Sequence, residues 1–130
     1  MRAAIVFMLL LGGCDYYDQR LEIVNKVGSE VAVETYLDTS PDFPSVNKTE
    51  FYLSHSVAPN DSVTLTRVGK NGWPFLIQRS KNKKLNLVIY SIDSLRKYQS
   101  IDTLIKKGIY KKSEFSEDEL EKMGWSVTLR

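Results

Sequence analysis

From residue 20 onward the chain alternates apolar and polar positions in short runs. Residues 20–27 (RLEIVNKV) set Leu21, Ile23 and Val27 against Glu22 and Lys26, a period of two that predicts a half-buried strand. Gly28, Ser29 and Glu30 form a short glycine-bearing connection, and residues 31–37 (VAVETYL) resume the alternation, so the two runs predict a hairpin. Residues 38–48 (DTSPDFPSVNK) carry two prolines and no period, which makes them a loop. Residues 50–57 (EFYLSHSV) alternate Phe51, Leu53 and Val57 against Tyr52, Ser54 and Ser56 and predict a third strand. After a turn at 58–61, residues 62–68 (SVTLTRV) predict a fourth, paired with the third.

Residues 69–74 (GKNGWP) are a second loop by composition, 75–78 (FLIQ) a short strand and 80–84 (SKNKK) a basic turn. Residues 85–92 (LNLVIYSI) are the most apolar run after residue 13 and rich in branched side chains, which predicts a central strand covered on both faces. Helices are predicted at 93–99, at 100–107 ending at Gly108, and from the capping box of Ser116 with Glu119 to about Met123, stopping at Gly124. Residues 125–129 (WSVTL) alternate again as a closing strand. Together these elements predict a mainly β, α+β domain: an antiparallel β-sandwich or small barrel with short helices inserted before the C-terminal strand.

The first fourteen residues, MRAAIVFMLLLGGC, have a different character. Arg2 supplies a positive start, residues 3–11 are apolar, and Gly12-Gly13 stand directly before Cys14. Nine apolar residues rise about 1.5 Å each as a helix, far less than a bilayer core of roughly 30 Å, so the run is too short to span. It has the length of a signal-peptide core. Leu11-Gly12-Gly13-Cys14 resembles the lipobox of a bacterial lipoprotein. The resemblance implies that residues 1–13 are removed, that the Cys14 thiol carries diacylglycerol, and that the new amino terminus is acylated, with palmitate expected. Residues 14–19 (CDYYDQ) are then the lipidated cysteine and a tether, and 20–130 a single β-rich globular domain.

The tether, the early strand around Asn25, the capped helix and the Gly-Trp-Ser-Val-Thr ending together resemble small lipoproteins of the Bacteroidetes type. In that group acidic residues just after the cysteine are associated with export to the cell surface, and Asp15 and Asp18 are compatible with such a signal. They are equally compatible with a solvated linker. The outer membrane is the expected address, with its face left open. The resemblance implies no activity.

Composition narrows the function classes. Taking 13 residues from 130 leaves 117, enough for one core and too few for two. Loss of Arg2 turns 18 basic against 16 acidic residues into 17 against 16, a balance that argues against nucleic acid as a partner. Cys14 is the sole cysteine, so neither an internal disulfide nor a cysteine metal cage is available, and no cofactor or metal is expected.

Candidate chemistry is sparse. His55, the only histidine, sits on the predicted apolar strand face, where such a residue more often donates to a backbone carbonyl than catalyses. No nucleophile elbow, phosphate-cradling glycine loop or zinc-protease motif occurs. Two carboxylates could hydrolyse a glycoside or peptide, with Asp38, Asp42 and Asp61 as candidates. The acids of residues 114–121 suit a helix N-terminus better than calcium. Trp73, between glycine and proline in a predicted loop, is the candidate ligand contact if its ring is exposed, and a plug over the sandwich end if it folds back. Trp125 is assigned to the core, and the basic run 79–84 is either a solvated turn or a contact for anionic groups. The expectation is a lipid-anchored, non-catalytic binding or accessory module that meets an envelope protein or glycan through loops 38–48 and 69–74. A carboxylate-dependent hydrolase and a toxin-inhibiting immunity lipoprotein are the alternatives.

Overall fold

The computed structural model describes residues 16–130, so the leader 1–13, Cys14 and Asp15 lie outside the described residues. The described elements run in the order β1 (Tyr17–Asn25), β2 (Val31–Tyr36), α1 (Thr49–Ser54), β3 (Ser62–Val68), α2 (Gly72–Arg79), β4 (Leu85–Ser91), α3 (Ile92–Tyr98), α4 (Ile101–Lys107), β5 (Lys111–Phe115), α5 (Glu117–Lys122) and β6 (Ser126–Leu129). Among the described residues no helix is long and apolar enough to cross a membrane.

The strands form two three-stranded sheets, β3-β1-β6 and β2-β4-β5. In the first, β1 runs antiparallel to β3, with Leu21 opposite Leu65 and Ile23 opposite Val63, and parallel to β6, with Ile23 opposite Val127. In the second, β4 is central and antiparallel to both neighbours, Val33 facing Ile89 and Leu87 facing Ser113. The sheets meet through one apolar layer. Leu21, Ile23, Val127 and Leu129 of the first pack with Val31, Leu85, Leu87 and Ile89 of the second, together with Trp73, Leu76 and Ile77 of α2 and Leu120 of α5. A second layer lies on the other face of β4: Val88 and Tyr90, with Ala32 and Tyr36, are covered by Tyr52 of α1, Ile92 and Leu95 of α3, and Leu104 and Ile105 of α4. Because β4 is buried on both faces, its sequence is apolar on both sides from Leu87 to Tyr90 instead of alternating. Truncating one of its leucines to alanine costs about 2–5 kcal/mol in cores of this kind.

The α+β sandwich, the central β4, helices α3 and α4, the capping box and the closing strand stand as the sequence predicts. Ser116 Oγ accepts from Glu119 N and the Glu119 carboxylate from Ser116 N, completing the box. Several local expectations do not hold. Residues 20–27 and 31–37 form no hairpin, because β1 and β2 belong to different sheets. The turn between them is closed instead by Asn25, fully buried, whose side-chain amide donates to Ser29 O at 2.8 Å and Val57 O at 3.0 Å while its Oδ1 accepts from Val27 N at 2.9 Å.

Residues 50–57 are not a strand either. Helix α1 occupies 49–54, and Tyr52, placed on the polar side by the alternation, is the residue it buries. Six residues are too few for the period to separate helix from strand. Residues 72–79 form α2, not a loop followed by a strand, and β5 arises from KKSEF, where charges mask the alternation. Strand β1 begins at Tyr17, inside the predicted tether.

Candidate functional site

The richest polar assembly lies on the outer face of the second sheet. β2 projects Glu34 and Tyr36 to the same side because strand side chains repeat every two residues, and β4 and α1 bring Tyr90 and Tyr52 against them. The Tyr36 hydroxyl donates to Glu34 Oε2 at 2.7 Å, and Tyr52 donates to the same oxygen. Asn47 Nδ2 donates to the other oxygen, Oε1, at 2.9 Å. Tyr90 and Tyr36 hydroxyls are 2.8 Å apart, and with Tyr36 committed to Glu34, Tyr90 is the donor of that pair. Tyr52 and Tyr90 rings meet edge to face with centroids 5.4 Å apart.

Burial, the Tyr90 hydroxyl and the Glu34 bond push the Tyr36 phenol far above its ordinary range. Burial and then Glu34 push Tyr52 up to about 12. Tyr90 is raised by burial above all. All three phenols are therefore held as donors at neutral pH, which is the form that satisfies the carboxylate.

This network holds the loop at 38–48. Ser45 Oγ contacts the Tyr52 hydroxyl at 3.1 Å and Ser45 N donates to Asp102 Oδ1 of α4 at 2.8 Å. At the loop start Thr39 N donates to Asp38 Oδ1 at 2.7 Å, Lys81 N to Leu37 O at 2.9 Å, and Lys112 Nζ to Thr39 O at 3.0 Å. Asp38 also pairs with Lys81 Nζ at 3.1 Å, and the Thr39 N–H first and Lys81 second hold its carboxyl below the usual range. Above this floor Phe43 is 58 % and Val46 84 % exposed. Large apolar side chains thus stand in solvent on a backbone bonded from both sides.

The other sequence candidates are dispersed. Trp73 is 2 % exposed on α2, and its Nε1 donates to Leu65 O at 3.2 Å, so it is a core residue and presents no free face to a ligand. Its predicted loop is a helix because Trp73, Leu76 and Ile77 fall at i, i+3 and i+4, with Pro74 in the first turn where no N–H is needed. Asp18 is likewise buried, bonded to Arg20 Nε at 2.8 Å and to Trp73 N at 3.0 Å, and so is part of the fold instead of a solvated linker acid. His55 is exposed at the end of α1, stacked on Phe51 at 4.3 Å, with Nδ1 donating to Phe51 O at 2.8 Å. Trp125 is in the core as expected.

Asp38 and Asp61 lie at opposite ends of β2, since Tyr36 adjoins Asp38 and Val31 bridges Val57 beside the 58–61 turn. Six strand residues separate those ends by roughly 20 Å, well beyond the roughly 5–9.5 Å of paired glycosidase carboxylates. Asp42 is exposed in the loop. No group of three or more metal-ligating side chains occurs among the described residues. In the basic run Lys81 bonds Asp38, and Arg79 lies 5.4 Å above the Phe75 ring.

A cleft of about 440 Å³ opens elsewhere, between Val27, Val31 and Ile89 on its floor and Ile109, Tyr110 and Lys111 on its rim. Glu34 and the three phenols do not line it. Glu34, Tyr52 and Asp102 carry the loop assembly, and the sequence pattern singles out none of them. No family model matches the chain, no curated protein matches it, and no solved structure matches it.

Proposed function

We propose that the protein is a lipid-anchored envelope protein, held through Cys14 and without catalysis, that docks a protein partner through loop 38–48. The observation that carries the reading is the exposure of Phe43 and Val46 on a loop tied to Glu34, Tyr52 and Asp102. A loop ordered before contact avoids the ordering cost of association, about 0.5–1.5 kcal/mol for each flexible side chain fixed. The loop offers an apolar ring and a branched aliphatic three residues apart, chemistry that fits an apolar pocket on a protein better than the hydroxyl-rich face of a glycan. The lipobox resemblance supports the anchor, and the outer membrane remains the proposed address.

The test is site-specific photo-crosslinking in intact cells. A benzophenone side chain at Val46 is expected to give one discrete protein adduct that disappears in the Phe43→Ser background, while the same group at exposed Thr66 of β3 gives none. Equal labelling at both positions, or an adduct indifferent to Phe43, overturns the docking loop.

A further inference from the structure

A second set of exposed apolar side chains gathers at one end of the first sheet. Tyr17 at the start of β1 faces Val68 at the end of β3, and Gly69 N donates to Tyr16 O, so the first described residues are bound to the loop that leads into α2. Tyr16, Tyr17, Val68 and Phe75 are all mostly exposed there, Val68 at 73 %. A shallow cleft of about 260 Å³ runs between Val68 and Phe75 over Gly69 and Gly72.

The charges around this end are cationic. Arg67, Lys70 and Arg79 are exposed, Arg67 lying 5.7 Å above the Trp73 ring and Arg79 5.4 Å above the Phe75 ring. Among the described residues the one acid of the group, Asp18, is buried against Arg20; Asp15 lies outside them. At the far end of β1 the exposed side chains are Lys26, Asn60 and Asp61, with the small Ala58 and Pro59 the apolar ones beside them and no exposed aromatic among the described residues there. That end lies roughly 25–30 Å away along the strand.

We propose that the Tyr16–Tyr17–Val68–Phe75 end is a membrane-contacting face that lies in the headgroup layer of the bilayer carrying the anchor. The inference rests on the lipid anchor proposed above and adds an orientation to it. Tyr16 follows Cys14 by two residues, so at no more than about 3.6 Å per residue the lipid attachment is within roughly 7 Å of this face. Tyrosines and a phenylalanine are the side chains that settle at the boundary between headgroups and acyl chains. Arg67, Lys70 and Arg79 complement the phosphates of that layer.

The experiment uses the full chain, processed in cells, purified and reconstituted in vesicles of phosphatidylethanolamine and phosphatidylglycerol. Cys14 is the sole cysteine, so when it is lipidated the wild type takes no thiol-reactive bimane, and the label in Val68→Cys and Lys26→Cys variants reports only the new positions. Brominated lipid is expected to quench bimane at position 68 at least threefold more than at position 26. Equal quenching at the two positions, with the wild type unlabelled, overturns the membrane face and leaves the anchor standing. A label at position 68 that is shielded from aqueous iodide but untouched by brominated lipid assigns the face to a protein neighbour or second copy and also overturns it. A wild type that takes the label reports a free Cys14 and overturns the anchor, and the orientation with it.

Discussion

The carboxylate of Asp18 accepts the backbone N–H of Trp73 at 3.0 Å across 55 residues. Helix α2 has no side-chain cap of its own at Asn71, so a buried acid on β1 satisfies one of its first donors. Asp18→Ala leaves that buried N–H without its acceptor, while the partly exposed Arg20 guanidinium keeps Lys70 O and Asn71 Oδ1. A loss of about 1–3 kcal/mol is expected by denaturant titration, with Asp18→Asn milder because one acceptor remains. Equal stability of wild type and Asp18→Ala removes this contact from the account of α2.

Gly72 opens the same helix where it passes closest to β3. A Cβ there would lie 2.8 Å from Arg67 Cβ and 3.4 Å from the Arg67 backbone. Alanine would gain up to about 1 kcal/mol in helix propensity, but the neighbour is strand backbone and its Cβ, which cannot swing aside. Gly72→Ala is therefore expected to lower the melting temperature. A rise would mean that β3 yields at little cost.

Glu34 gathers Tyr36, Tyr52 and Asn47. Glu34→Ala takes the shared acceptor from the Tyr36 and Tyr52 hydroxyls, which keep only Tyr90 and Ser45 as partners, at about 1–3 kcal/mol each before relaxation, and frees the loop. Limited proteolysis is expected to cut within 38–48 at least tenfold faster than in the wild type. An unchanged cleavage rate would show that Asp102 and the Lys81 and Lys112 contacts hold the loop without it.

The Tyr52 phenol is raised to about 12, first by burial and then by Glu34. A phenol raised above its unfolded value of about 10 contributes stability that is whole below pH 10 and is lost as pH rises through 12. The difference between the phenolate absorbance titrations of wild type and Tyr52→Phe should show a step near 12. A step near 10 would mean that the hydroxyl is solvated.

Glu119 titrates in the opposite sense. The Ser116 backbone N–H, then the Ser116 side chain, lower its pKa, so its support of α5 is present above the ordinary glutamate range and fades as pH falls through the depressed value. An NMR titration of the Glu119 carboxyl should find a midpoint below the ordinary one, moving back toward it in Ser116→Ala.

Layering was legible in this sequence where burial is two-sided or capped. The strongly apolar run of β4 and the Ser116–Glu119 box each had one physical reading. What misled were segments whose partners are remote. Trp73, Leu76 and Ile77 keep a helical spacing, but Pro74 and two glycines nearby carry the composition of a loop, and the cap that permits the helix comes from Asp18. The partners of Tyr52, namely Glu34, Tyr90 and Ser45, were invisible to a pattern that weighs each residue against its immediate neighbours. Strand β5 hid behind lysines because only Ser113 and Phe115 turn inward.

The parallel pairing of β1 with β6 also fixes when the domain can finish folding. Ser126 Oγ donates to Glu22 Oε1 at 3.0 Å across 104 residues, and Val127 and Leu129 fill the layer that Leu21 and Ile23 begin. Contacts so distant in sequence are closed late and slowly. The opening strand thus keeps one edge without a partner until residues 126–129 reach it, and the apolar layer between the sheets stays open on that side until then.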